Sequence, residues 1–191
     1  MTRLGWIMLL GFAIVIAGFV GLMRRGGADI PRVRSPAAAP PPPRSPDGLI
    51  VPVAGVPPAA LADTWGDARG DGARAHHAID VMAPRGTPVI AAAAGTVEKL
   101  FESKAGGHTI YIRRSDPAWQ DYYAHLDRYA PDLREGMRIS QGQRIGSVGA
   151  SGDADPSAPH LHYEIHRMAP GAAWWKGTEI DPYPILSKGA G

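Results

Sequence analysis

Residues 159–167 read Pro-His-Leu-His-Tyr-Glu-Ile-His-Arg, so imidazole and carboxylate side chains alternate with large apolar ones. Successive side chains on a β-strand point to opposite faces. Leu161, Tyr163 and Ile165 are therefore expected to enter a core, while His160, His162, Glu164 and His166 share the other face. Such a row is either a solvated outer face or a site. A second cluster favours a site: in Arg74-Ala75-His76-His77-Ala78-Ile79-Asp80 an imidazole and a carboxylate lie four residues apart. This is not the His-Glu-x-x-His helix of the common zinc proteases. Catalytic zinc takes three ligands from His and Asp/Glu and keeps a fourth position for water, and His76, Asp80 and His162 would supply that set. His125, in Tyr123-Ala124-His125-Leu126, is a candidate supporting group. Glu164 is expected to orient a ligand by a hydrogen bond. His77 reads as a bystander and His166 as a rim or surface residue. Trp174 and Trp175 read as packing rather than groove.

These side chains need a scaffold, and from residue 49 onward the pattern is short, β-branched and punctuated by Gly, Pro and Asp. Strands are expected at 49–53, 87–92, 95–101, 109–113, 121–126, 144–148 and 161–167, with one short helix near 59–63. Hairpin-length connections between short strands predict a mainly β, antiparallel domain over residues 48–188.

The amino-terminal part differs. Residues 4–23 carry no charge, and twenty helical residues at ~1.5 Å each would span about 30 Å, the thickness of a bilayer's hydrocarbon core. Arg24 and Arg25 follow where a cleaved leader would show small residues, so a single uncleaved transmembrane helix is expected within residues 1–25. Residues 26–47 form a proline-rich linker suited to an extended spacer. Residues 1–46 carry a net charge of +5 and the remainder −3, so the overall +2 and the pI near 9.0 do not describe the domain. A basic segment beside an apolar span fits anionic lipid headgroups. Nucleic-acid binding would need the basic patch on the domain itself and is set aside. The chain has no cysteine, which excludes disulfides, thiolate catalysis and Cys-ligated metal.

Taken together, these motifs resemble the LytM/lysostaphin-type peptidases, the M23 metallopeptidase family. His76-x-x-x-Asp80 matches the family's first motif, His160-Leu161-His162 its His-x-His motif, and His125 the lone histidine between them. Gly86-Thr87-Pro88-Val89, Gly95-Thr96-Val97, Gly142 to Gly146 and Asp181-Pro182 agree as well, over about residues 48–186. Ala78 stands where many members have Gly.

The resemblance implies an antiparallel β-sheet groove in which His76, Asp80 and His162 bind Zn2+ and His125 and His160 are the unligated catalytic pair. It implies a zinc endopeptidase acting on peptidoglycan peptides. The alternative from another class is a non-hydrolytic LytM-like regulator that activates a cell-wall amidase, but such members typically lack several of these five residues. Peptidoglycan and the cytoplasmic membrane are the expected partners, with a cell-wall or division-machinery protein as a further candidate. Since the wall lies outside that membrane, the domain is expected in the periplasm or extracellular space.

Overall fold

The computed structural model describes residues 48–69 and 74–188. The expected membrane span and proline-rich linker lie outside them. No helix of the described residues is long and apolar enough to cross a membrane.

The strands are β1 (Ala68–Arg69), β2 (Arg74–Ala75), β3 (Ile79–Met82), β4 (Pro88–Ile90), β5 (Gly95–Ser103), β6 (Gly107–Arg114), β7 (Trp119–Tyr129), β8 (Arg138–Ile139), β9 (Arg144–Val148), β10 (His160–Arg167) and β11 (Thr178–Ile180). A 3-10 turn at Pro58–Ala60 and a four-residue helix α1 (Tyr183–Leu186) complete the described elements. β1 and β2 pair with each other. The remaining nine form one sheet in the order β11-β10-β7-β6-β5-β8, with β3 on β10 and β9 joining β7 to β4. Every pairing is antiparallel.

The expected strands are present with shifted ends, except that 49–53 is reduced to isolated contacts such as the Val53–Val89 bridge. β3 was not expected as a strand. Its four residues, Ile-Asp-Val-Met, are too few to show a period on their own, and they are held by pairing with β10, some eighty positions away. That pairing sets the site, because the register puts Asp80 directly opposite His162.

The core follows from alternation. Leu161, Tyr163 and Ile165 of β10 are fully buried, as are Ile110 and Ile112 of β6, Tyr123 and Leu126 of β7, and Ile145 and Val148 of β9. Fully burying one such aliphatic chain stabilises by about 1.5–3 kcal/mol. Two buried polar contacts tie this core to the site strands. Asp121 on β7 takes a two-pronged bond from Arg114 and accepts from the Tyr163 hydroxyl of β10 at 2.6 Å. The amide of Ala92 donates to the Tyr123 hydroxyl at 3.0 Å.

Candidate metal centre and its groove

The outward faces of β3, β7 and β10 form the floor of a groove of about 640 Å³. Its lining includes Arg69 of β1, Arg74 of β2, and Asp153 and Asp155 from the β9–β10 loop, and Arg74 meets Asp153 at 3.4 Å. His76, Asp80, His125, His160, His162 and Glu164 all face into it.

His76 Nε2, His162 Nδ1 and Asp80 Oδ1 converge. The two nitrogens are 3.1 Å apart, and the oxygen lies 3.1 Å from His76 and 3.3 Å from His162. A tetrahedral ion with bonds of about 2.0–2.1 Å separates its ligand atoms by about 3.3–3.4 Å, so the triangle has the size of one face of such a shell. The backs of both rings are fixed. His76 Nδ1 donates to the Thr64 carbonyl at 2.8 Å, and His162 Nε2 donates to Glu164 Oε1 at 2.8 Å. Each ring therefore presents a lone pair to the triangle. Asp80 Oδ2 is taken by Arg69 at 2.5 Å, whereas Oδ1 is buried without a hydrogen-bond partner among the described residues. Three lone-pair atoms this close repel one another unless a cation lies among them, and an orphaned buried carboxylate oxygen points the same way. These residues fit a metal ion.

The electrostatics agree. Burial pushes the Asp80 carboxyl up, but the His162 and His76 imidazoles beside it outweigh this and hold the group far below the usual carboxylate range. Burial lowers His162, yet the Asp80 and Glu164 carboxylates on either side of the ring prevail and push it up to about 9, a preference for positive charge that an ion in the triangle would meet. Glu164, raised by burial and lowered more by His162 and His166, settles at about 2. All three shifts favour positive charge at the centre of the triangle.

His160 and His125 flank the triangle. Their rings are 5.0 Å apart, and His125 is 5.5 Å from His162. His160 Nδ1 donates to the Ala158 carbonyl at 2.9 Å and His125 Nδ1 to the Ser151 carbonyl at 2.8 Å. Each ring keeps Nε2 as its basic atom, with no hydrogen-bond partner among the described residues. His160 Nε2 lies 3.8 Å from Asp80 Oδ1. Burial lowers the pKa of His125, only partly offset by the Ser151 carbonyl, so its ring stays neutral to more acid pH than a free histidine.

His125 reaches the groove through an irregularity. Strict alternation would send it to the core side with Tyr123. Instead β7 spends three positions, from Tyr123 to Leu126, where β6 spends two, from Ile110 to His108. His125 there adopts φ +58°, uncommon outside glycine. This bulge turns Ala124 and His125 to the same side, as bulges beside functional sites do.

The sequence-predicted groups His76, Asp80, His125, His160 and His162 are brought together. Glu164 orients His162, as expected. His77, outside the triangle, is exposed and stacks on Trp65. Trp174 packs on Phe101 and Tyr111, and Trp175 is exposed; neither lines the groove. One expectation is corrected: His166 is not a rim residue but is buried beneath Glu164, because β11 pairs alongside it and the preceding loop covers it. Arg69 and Thr64 were missed, since both come from irregular or two-residue segments with no period to read.

The family model for peptidase family M23 matches residues 74–182, more than half of the chain. The chain belongs to that family. Among curated relatives, the L-Ala–D-Glu endopeptidase of Bacillus subtilis is 39% identical over 129 residues, covering 64% of this chain and 38% of its own. The peptidoglycan DD-endopeptidase ShyC of Vibrio cholerae is 42% identical over 92 residues, 48% of this chain and 20% of its own. The match therefore spans well under half the length of either relative. Among solved structures, the catalytic domain of lysostaphin from Staphylococcus simulans aligns at 27% identity with a TM-score of 0.54, covering 65% of this chain and 89% of that one. The catalytic domain of the prophage-encoded M23 protein EnpA from Enterococcus faecalis, solved as a point mutant, aligns at 29% identity and 0.52, covering 64% and 87%. The mainly β, LytM/lysostaphin-like fold is thereby shown.

Proposed function

We propose that this domain is a zinc-dependent endopeptidase that hydrolyses peptide bonds of bacterial peptidoglycan. The observation that carries the proposal is the triangle of His76, Asp80 and His162, flanked by two histidines with free Nε2 atoms. Two nitrogens and one carboxylate oxygen, with a fourth position left toward the groove, are the donor set of a catalytic zinc rather than a closed structural one. When bound, zinc supplies a Lewis acid for the scissile carbonyl and lowers the pKa of water toward 7.

The chain's own residues then move the protons. His125, kept neutral by burial, accepts at Nε2 the proton released as a water oxygen bonds to the carbonyl carbon. It returns that proton to the leaving nitrogen as the C–N bond breaks. His160 turns its Nε2 to the same space, 3.8 Å from Asp80 Oδ1, where taking up a proton would let it donate to the oxygen on which charge develops. Arg69 holds Asp80 by its second oxygen, and Glu164 holds His162 by its outer nitrogen.

The named activities of the relatives support peptidoglycan as the substrate class, and they cover more than one bond of it. The test is zinc content and activity together. The purified chain is expected to carry about one zinc per molecule, and His162→Ala to lose both the metal and the activity. Unchanged metal content in His162→Ala would overturn the assignment.

We further propose that residues 4–23 anchor the chain in the cytoplasmic membrane with the peptidase domain outside, where the wall is. The uncharged twenty-residue run supports the anchor, and the substrate supports the orientation. Reporters fused at Gly48 are expected to work only outside the cytoplasm, and one active only inside would contradict this.

A further inference from the structure

Behind His162 runs a chain of largely buried polar contacts of which the proposed reaction uses only the first, the Glu164 bond. His162 Nε2 meets Glu164 Oε1 at 2.8 Å, and Glu164 Oε2 meets His166 Nε2 at 2.5 Å. His166 Nδ1 lies 3.2 Å from Gln120 Oε1, and Gln120 Nε2 lies 2.8 Å from Glu98 Oε2. Glu98 is gripped through both oxygens by Arg113 at 2.7 and 2.9 Å. The guanidinium also donates to the Ala172 carbonyl at 3.2 Å, in the loop before β11. Gln120 is fully buried and His166 nearly so.

The donor and acceptor roles along this chain can be fixed from its far end. Glu98, held by a guanidinium, only accepts, so the Gln120 atom facing it is the amide nitrogen. The Gln120 atom facing His166 is then its oxygen, which also only accepts, so His166 Nδ1 must carry a hydrogen. At the other end Glu164 accepts from His162 and presents its second oxygen to His166 Nε2, which must donate as well. Reversing the Gln120 amide would set its oxygen against the Glu98 carboxylate and gains nothing.

We propose that His166 is a positioning residue for the metal ligand His162: an imidazolium with both nitrogens donating, which locks the Glu164 carboxylate so that Glu164 in turn holds His162 with Nδ1 aimed at the metal position. It neutralises the Glu164 charge inside the fold and leaves the carboxylate one orientation instead of several. Burying a carboxylate needs such a partner. Packing keeps the ring in place, since a Cβ on Gly177 would fall 2.6 Å from the His166 Cβ, so only glycine lets the loop close over it. This inference rests on the zinc reading above.

Zinc affinity of the full chain, measured by competition with a chromophoric chelator, tests it without reference to peptidase activity. Outer partners of a ligating histidine typically change metal affinity by about 10- to 100-fold. His166→Ala is expected to weaken zinc binding about tenfold and Glu164→Ala by at least as much. Because His166 acts through Glu164, the double variant is expected to be no weaker than Glu164→Ala alone. Nitrogen-15 spectra of the unmutated zinc-loaded chain do not depend on any variant folding, and are expected to show a hydrogen on both nitrogens of His166. Additive losses in a chain that binds zinc, or an unprotonated nitrogen on His166, would overturn this inference alone. A wild-type chain that takes up no zinc would overturn the metal reading, and this inference with it.

Discussion

Asp121 offers a demanding test of how the fold positions the site, because it joins the strand of His125 to the strand of His160 and His162. It is fully buried on β7, is gripped by Arg114, and accepts from the Tyr163 hydroxyl of β10 at 2.6 Å. Asp121→Ala strands two groups. The Arg114 guanidinium, whose side chain is 13% exposed, loses its counter-charge, and removing one partner of a buried pair costs about 3–5 kcal/mol. The Tyr163 hydroxyl, in a fully buried residue, loses its acceptor, which costs about 1–3 kcal/mol. The two losses share one site and do not simply add, so about 4–6 kcal/mol is expected in total. A domain of ordinary stability, about 5–15 kcal/mol, would be left marginal or unfolded. Tyr163→Phe removes the hydroxyl and leaves Asp121 its arginine, so it should cost only about 1–2 kcal/mol. Urea unfolding followed by circular dichroism reads both. An Asp121→Ala loss below about 2 kcal/mol, or a Tyr163→Phe loss equal to it, would refute the reasoning.

Three further outcomes follow from the same geometry. Burial depresses the pKa of His125, so the neutral acceptor persists below the ordinary histidine value. The acid limb of kcat/KM should therefore fall below pH 6.5, and a limb centred above 6.5 would remove His125 from the acceptor role. Arg69→Met frees the Asp80 oxygen that Arg69 now holds at 2.5 Å, and zinc affinity by chelator competition should drop about tenfold. Gly107→Ala places a Cβ within 2.4 Å of the Ser151 backbone at φ +63°, displacing the carbonyl that holds His125. It should lower kcat and cost more than about 2 kcal/mol in thermal or urea unfolding.

The legible parts of this molecule were those with a local period. The alternation in 159–167 correctly assigned Leu161, Tyr163 and Ile165 to the core and His160, His162 and Glu164 to the groove. Asp80 was found by its motif, but its place opposite His162 depends on a β3–β10 register that no local pattern reports. The burial of His166 escaped for the same kind of reason: its cover comes from β11 and the preceding loop. His125 is the subtler case. Its type and neighbours marked it as interesting, yet alternation alone would have pointed it into the core, and only the bulge on β7 turns it outward. Arg69 lies in a two-residue strand and left no signal at all.

The central claim is that the triangle and its two flanking histidines form a metal-dependent peptidase for the cell wall. Digestion of purified sacculi by the zinc-loaded full chain, with released fragments identified by mass, tests it most directly. The account predicts that peptide bonds are opened by the wild-type chain and left intact by the His162→Ala and His125→Ala variants and after chelation. Sacculi that remain uncut by a zinc-loaded wild-type chain, or are cut equally well by His162→Ala, would contradict it.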